Sequence, residues 1–176
     1  MTTRTVMQEA DIARALTRIS HEILESNRGA DDLVVLGIPT RGVALANRIA
    51  GLLGEFAGTT VPTGALDVTM YRDDLHRHPT RAPQPTQIPP AGIDGKTVVL
   101  VDDVLFSGRS IRAALDALQD IGRPDAVRLA ILIDRGHREL PIRPDFVGKN
   151  LPSARDERVN VRLAEVDGLE EVTIES

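Results

Sequence analysis

Val98-Val99-Leu100-Val101-Asp102-Asp103-Val104-Leu105-Phe106-Ser107-Gly108-Arg109-Ser110 decides how this chain is read. The run from Val98 to Val101 is short, continuous and rich in β-branched residues, which predicts a parallel strand covered on both faces. Two adjacent carboxylates, Asp102 and Asp103, close that strand. A polar loop with Ser107, Gly108 and Ser110 then leads into a helix start, where backbone N–H groups and hydroxyls suit a phosphate. Carboxylates at a strand end can grip sugar hydroxyls or a bound Mg2+. A ligand with ribose, phosphate and metal would satisfy all of these groups together. The plainer alternative is a surface Asp pair capping the next helix. Neither G-x-x-x-x-G-K-[ST] nor G-x-G-x-x-G occurs, which argues against an NTPase or a dinucleotide binder.

Upstream, Leu33 to Leu36 predicts a second buried strand. Gly37-Ile38-Pro39-Thr40-Arg41-Gly42 then bridges into a helix running through Ile49. Further back, Ile12, Leu16, Ile19 and Ile23 recur at helical spacing, so an amphipathic helix spans Asp11 to about Ser26, stopped by Gly29. Leu66, Val68 and Met70 alternate with Asp67 and Thr69, which predicts a strand ending near Tyr71. From Arg72 to Gly92 five prolines interrupt a polar segment, a loop of the length that serves as a functional lid or tether.

Downstream come a helix from about Arg109 to Asp120, a turn at Gly122-Arg123-Pro124 and a strand from Val127 to Ile133. A polar, Pro-containing region fills Asp134 to Pro152, and Val159–Val161 and Val172–Ile174 read as closing strands. Strand and helix alternate, so the class is α/β with a mainly parallel, twisted sheet flanked by helices. Ligands of such sheets lie beyond the carboxyl ends of the strands, which gathers the loops after Leu36, Tyr71 and Val101.

The 176 residues suit a single domain with a real core. The absence of Cys removes thiol catalysis, disulfides and Cys-based zinc sites. No apolar run approaches a membrane span and no signal peptide opens the chain, so the expected compartment is the cytoplasm, with no membrane partner. Aromatics make up only 2%, leaving few stacking platforms for single-stranded RNA. The net charge of −5 excludes a wholly basic nucleic-acid binder but permits a local basic patch.

Arg41 is a fork-shaped cation suited to phosphate oxygens. Arg72, at the hinge of the Pro-rich loop, is placed to close over an anion and stabilise a departing charge. His76 and His78 lack carboxylate support and are read as solvent-exposed rather than metal ligands. On the first helix, Arg14, Thr17, Arg18 and His21 share a polar face, which from spacing alone is a solvated one.

The strand, acid pair, loop and helix order of Val98–Ser110 resembles the phosphoribosyl pyrophosphate (PRPP) signature of type I phosphoribosyltransferases. Within these, Leu16-Thr17-Arg18-Ile19-Ser20-His21-Glu22, Tyr71-Arg72-Asp73-Asp74-Leu75 and the stretch from Asp134 to Asn150 are similar to the PyrR family of pyrimidine regulators and uracil phosphoribosyltransferases. The likeness covers nearly the whole chain. Ser107 and Ser110 stand where Thr is frequent, and Pro39 replaces a more usual Lys.

The resemblance implies a single domain over residues 1–176, with a flexible loop at about 72–92 and a base-recognising hood at about 134–152. It implies transfer of ribose 5-phosphate from PRPP to uracil, giving UMP and diphosphate, with Mg2+ arriving on PRPP. Asp102 and Asp103 would hold ribose hydroxyls or the Mg2+ shell. Thr40 and the stretch Val104, Leu105, Phe106, Ser107, Gly108, Arg109 and Ser110 would bind PRPP. Arg41 and Arg72 would take the pyrophosphate, and Phe146, Val147 and Gly148 would read uracil. It also implies UMP-dependent binding of a pyrimidine mRNA leader through Arg14, Thr17, Arg18, His21, His137, Arg138, Arg143 and Lys149, and a homodimer or higher oligomer. Two alternatives stay open: a salvage transferase for another base such as hypoxanthine or orotate, and a regulator without catalysis.

Overall fold

The structure is a computed structural model, described for residues 2–73 and 85–176. The chain opens with β1 (Thr3–Gln8) and the amphipathic helix α1 (Glu9–Asn27), whose buried face is Ile12, Leu16, Ile19 and Ile23. Gln8 and Asp11 form a reciprocal capping box at its start. Next come β2 (Leu33–Gly37), α2 (Arg41–Ala57) and β3 (Thr63–Ala65). The central strand β4 (Thr97–Leu105) leads to α3 (Arg109–Gln119), β5 (Ala126–Asp134) and β6 (Phe146–Asn150). The chain closes with β7 (Arg158–Arg162), the single turn α4 (Ala164–Asp167) and β8 (Glu171–Glu175).

Five strands form an all-parallel sheet in the order β3-β2-β4-β5-β6. Successive side chains of a strand point to opposite faces. On β4, Val98 and Leu100 accordingly pack with Ile111, Ala114 and Leu118 of α3. Val99 and Val101 pack on the other face with Ile19, Leu45 and Ile49 of α1 and α2. Continuing that alternation sends Asp102 and Asp103 to opposite sides of the strand as it leaves the core.

Three expectations change. The alternating Leu66–Met70 is not a strand: pairing ends at Ala65, and Thr69–Tyr71 turns as a 3-10 helix. Leu66 and Val68 are instead pinned inward beside α3, because burial of two apolar residues at i and i+2 needs no ladder. The carboxylate pair does not end β4 but lies within it, since pairing with β5 continues to Leu105.

The expected hood at 134–152 also divides. Phe146–Asn150 is the edge strand of the main sheet, and only the turn between Asp134 and Asp145 stands outside it. A separate antiparallel sheet, β1-β8-β7, is built from the two ends of the described chain. The Pro-rich segment's residues 74–84, including His76 and His78, lie outside the described residues.

Candidate active site

The carboxyl ends of β2 and β4 open into one cleft with two lobes, each of about 240 Å³. Arg72, Asp102, Val104 and Ser110 belong to both. One lobe is lined by Phe106, Ser107, Gly108, Arg109 and Ile111, at the N-terminus of α3. The other is lined by Pro39, Thr40, Arg41, Asp67, Thr69 and Asp103, at the N-terminus of α2. A helix N-terminus presents backbone N–H groups and a positive dipole end, so each lobe suits an anion, with Asp102 lining both lobes and Asp103 the α2 lobe. This is the arrangement expected for a sugar carrying phosphate groups at both ends.

Two glycines make the lobes possible. A Cβ on Gly42 would stand 2.5 Å from the carbonyl oxygen of Val101, so only glycine lets α2 begin against the end of β4. Gly108 has φ +94° and an added Cβ would press 3.1 Å from Ile142, so the phosphate loop turns where an L side chain is disfavoured.

Backbone amides hold the acids in place. Asp102 Oδ1 accepts from Asp103 N–H at 2.9 Å, and Asp103 Oδ1 accepts from Val104 N–H at 2.8 Å. Among the described residues no cluster of three or more metal-ligating side chains exists. Two carboxylates on a polar cleft floor fit Mg2+ that arrives on a substrate's phosphates and keeps its waters, the habit of that ion.

The segment after β5 braces the loop between β4 and α3 from behind. Glu139 and Leu140 donate their N–H groups to the Ser107 carbonyl at 2.9 and 3.2 Å, and Arg135 N–H donates to Leu105 O. Arg138 donates to Phe106 O, Ile142 O and Asp134 Oδ2. His137 Nε2 lies 2.6 Å from Ser153 O. The Arg135 guanidinium stacks 4.3 Å from the Phe106 ring centroid while bonding Ser153, Ala154 and Glu157. Burial pulls its pKa below the ordinary arginine range.

His137 and Arg138, expected on an RNA surface, are therefore occupied as braces, because an irregular turn leaves carbonyls that need donors. Arg109 lines the α3 lobe as expected, and its side chain adds ion pairs that the sequence did not show. Its side chain bonds Asp73 at 2.6 Å and Glu139 at 2.9 Å, tying the loop hinge to α3.

Arg41 lines its lobe, yet its guanidinium is held by Asp167 at 2.6 and 3.1 Å. That pair raises the arginine's pKa and lowers the carboxylate's. No short-range sequence signal could have shown a partner 126 residues away. The same holds for Arg48, which grips Glu165 and Glu170 of the closing segment with two bonds each.

The structure does not bring Phe146, Val147 and Gly148 to the cleft. Phe146 is buried among α1 and sheet residues. The carbonyls of Val147 and Gly148 accept from the Arg18 guanidinium at 3.0 and 2.6 Å, which caps the exposed edge of the sheet. Arg18, Arg14, Gly148 and Lys149 line a separate groove of about 400 Å³ with Asp11. Three of the expected RNA-facing cations thus meet there. His21 stacks on Phe56 at 4.1 Å, Thr17 is half-buried and Arg143 is exposed. Among the described residues, no helix is long and apolar enough to cross a membrane.

Comparison with known proteins agrees with this geometry. Residues 4–164 match the family described as "Phosphoribosyl transferase domain". The "Bifunctional protein PyrR" of Leifsonia xyli is 72% identical, over 99% of this chain and 98% of that protein. The protein of the same name from Streptomyces coelicolor is 64% identical, over 97% and 89%. Among solved structures, a hypoxanthine-guanine phosphoribosyltransferase from Bacillus anthracis superposes with a TM-score of 0.72, at 17% identity and full coverage of both chains. A Trypanosoma cruzi hypoxanthine phosphoribosyltransferase gives 0.75 at 17% identity, over 98% and 94%. At that identity these two speak for the fold alone. The chain belongs to the phosphoribosyltransferase domain family and, within it, to the bifunctional PyrR proteins.

Proposed function

We propose that this protein transfers ribose 5-phosphate from PRPP to uracil, giving UMP and diphosphate, and that its UMP-bound form binds the leader of a pyrimidine-biosynthesis mRNA. The observation that carries the first part is the cleft whose two lobes each face a helix N-terminus, with Asp102 lining both and Asp103 lining the α2 lobe. The loop from Phe106 to Ser110 takes the 5′-phosphate on its backbone amides. Asp102 and Asp103 hold the ribose hydroxyls between the lobes. Pro39–Arg41 and Arg72 take the pyrophosphate.

Bond breaking at C1 develops positive charge on the ribose and negative charge on the leaving group. The acid pair lies beside the first and the arginines beside the second, so fixed charges carry the rate together with positioning. When bound with PRPP, Mg2+ supplies further neutralisation of the pyrophosphate. The base lies at the Phe106 end of the cleft, where Arg135 backs the ring. The test is UMP formation from a panel of bases with PRPP and Mg2+. Uracil is expected to lead, and a preference for hypoxanthine or orotate would overturn the assignment.

The regulatory half rests on the groove where exposed Lys149 stands beside Arg14 and Arg18, and RNA phosphates there compete with Asp11, paired to Arg14 at 2.6 Å, and Glu22, paired to Arg18 at 3.2 Å. A UMP-dependent gel shift with the leader RNA of the organism's own pyrimidine operon checks it. Loss of the shift when UMP is omitted is the expected result.

A further inference from the structure

We propose that Asp167 is a positioning residue for pyrophosphate, holding Arg41 in the one orientation from which it serves the α2 lobe. This rests on the phosphoribosyl transfer proposed above. Arg41 is the first residue of α2, and its side chain is only one-third exposed. Both oxygens of Asp167 bind it, one to Nε at 3.1 Å and one to Nη2 at 2.6 Å, a fork-on-fork contact that fixes the guanidinium plane.

Asp167 is itself fixed. Its Oδ2 accepts the Leu163 N–H at 2.8 Å, and its side chain is 17% exposed. The turn that carries it is clamped to α2 by Arg48, through Glu165 at 2.8 and 2.5 Å and Glu170 at 2.7 Å twice. Nothing in the fold of α4 requires an arginine partner at Asp167, because Arg48 already anchors the segment.

Two effects of Asp167 oppose one another. Its charge offsets part of the attraction between Arg41 and an anion, while its geometry removes the rotamer freedom that a long arginine would otherwise lose on binding. Asp167 takes the Nε–Nη2 edge and leaves Nη1 for an anion, so the ordering is gained without blocking the guanidinium and outweighs the lost attraction.

The test compares Asp167→Ala, Asp167→Asn and Arg48→Met. Pyrophosphate binding is measured by calorimetry, and the KM values for PRPP and uracil by initial rates. Asp167→Ala is expected to weaken pyrophosphate binding and raise the PRPP KM roughly three- to tenfold, with the uracil KM unchanged. Asp167→Asn keeps an acceptor for Leu163 N–H and falls between alanine and the parent. Arg48→Met, which loosens the same segment but leaves the Asp167–Arg41 contact available, is expected to lose clearly less than Asp167→Ala.

Unchanged or tighter pyrophosphate binding in both Asp167 variants overturns the proposal. So does an equal loss in Arg48→Met, which would make placement of the segment, not the carboxylate, responsible. A parent protein that binds pyrophosphate but forms no UMP from any base would instead sink the transferase reading alone, since the calorimetric comparison still decides the role of Asp167.

Discussion

The guanidinium of Arg138 donates to the carbonyl oxygen of Phe106 at 3.0 Å, joining the turn after β5 to the loop at the N-terminus of α3. One side chain, 22% exposed, thus serves Phe106, Ile142 and Asp134 together.

Arg138→Ala leaves two carbonyls and a carboxylate short of their donor. A loss of about 2–3 kcal/mol in unfolding free energy is expected, because the partners remain in place unpaired. Urea denaturation measures it. The PRPP KM should rise with it, whereas the salt slope of RNA binding should not change. A flattened slope would show that Arg138 contacts an RNA phosphate after all.

Asp103→Asn keeps the side chain's shape and the acceptor for Val104 N–H while removing a charge. A fall in kcat of about a hundredfold or more is expected, by the scale of losing one preorganised electrostatic contact. RNA affinity at saturating UMP should change far less. Equal loss of both activities would show that the two sites are not separable.

Gly42→Ala sets a methyl group 2.5 Å from a main-chain carbonyl that belongs to the sheet. Overpacking of that kind costs about 1–3 kcal/mol and displaces the start of α2. Thermal denaturation and the KM for PRPP should both report it. An unaltered melting temperature would mean that α2 shifts freely, contrary to its packing on Val101.

Glu165 and Glu170 both titrate below the usual 4.5, first because Arg48 hydrogen-bonds to each carboxylate. Such groups stabilise the fold fully above their unfolded pKa, and the contribution is lost as the pH falls through the lowered folded values. Stability of the parent should therefore decline below about pH 4.5, and part of that decline should vanish in Arg48→Met. Denaturant midpoints between neutral and acid pH test this. An identical acid dependence in the two proteins would refute the clamp.

Lys149→Ala removes one exposed cation from the α1–β6 groove. RNA binding should weaken, and its dependence on log salt should fall by about one unit or less. A footprint of RNA protection that avoids this groove would place the nucleic acid elsewhere.

Local signals made much of this fold legible. The apolar period of α1 and the β-branched runs of β2, β4 and β5 are dictated within a few residues of each position, and the parallel sheet follows from their alternation with helices. The acid pair, the loop opening α3 and the arginine after β2 stand out as candidates for the same reason, and the structure gathers them around one cleft. Contacts set by the closed chain were not. Val68 and Met70 alternate like a strand, but among the described residues the parallel pairing with β2 ends at Ala65. Phe146–Asn150 looks like loop because it is short and follows Pro141 and Pro144, yet it meets β5 in parallel register. Arg138 reads as surface charge until the carbonyls around it are known. Asp167, Arg48 and the second sheet depend on segments that meet only after folding.

The acid pair lies inside β4, whose ladder with β5 runs through Asp102 to Leu105. Hydrogen exchange should therefore find the amides of β4 up to Val101, paired on both sides, opening only on near-global unfolding, while those of Asp103 and Val104, bonded to carboxylates, exchange through smaller openings. The carboxylates of the cleft thus stand where the sheet passes from double to single pairing, so firm backbone lies directly beneath them and looser backbone directly beyond.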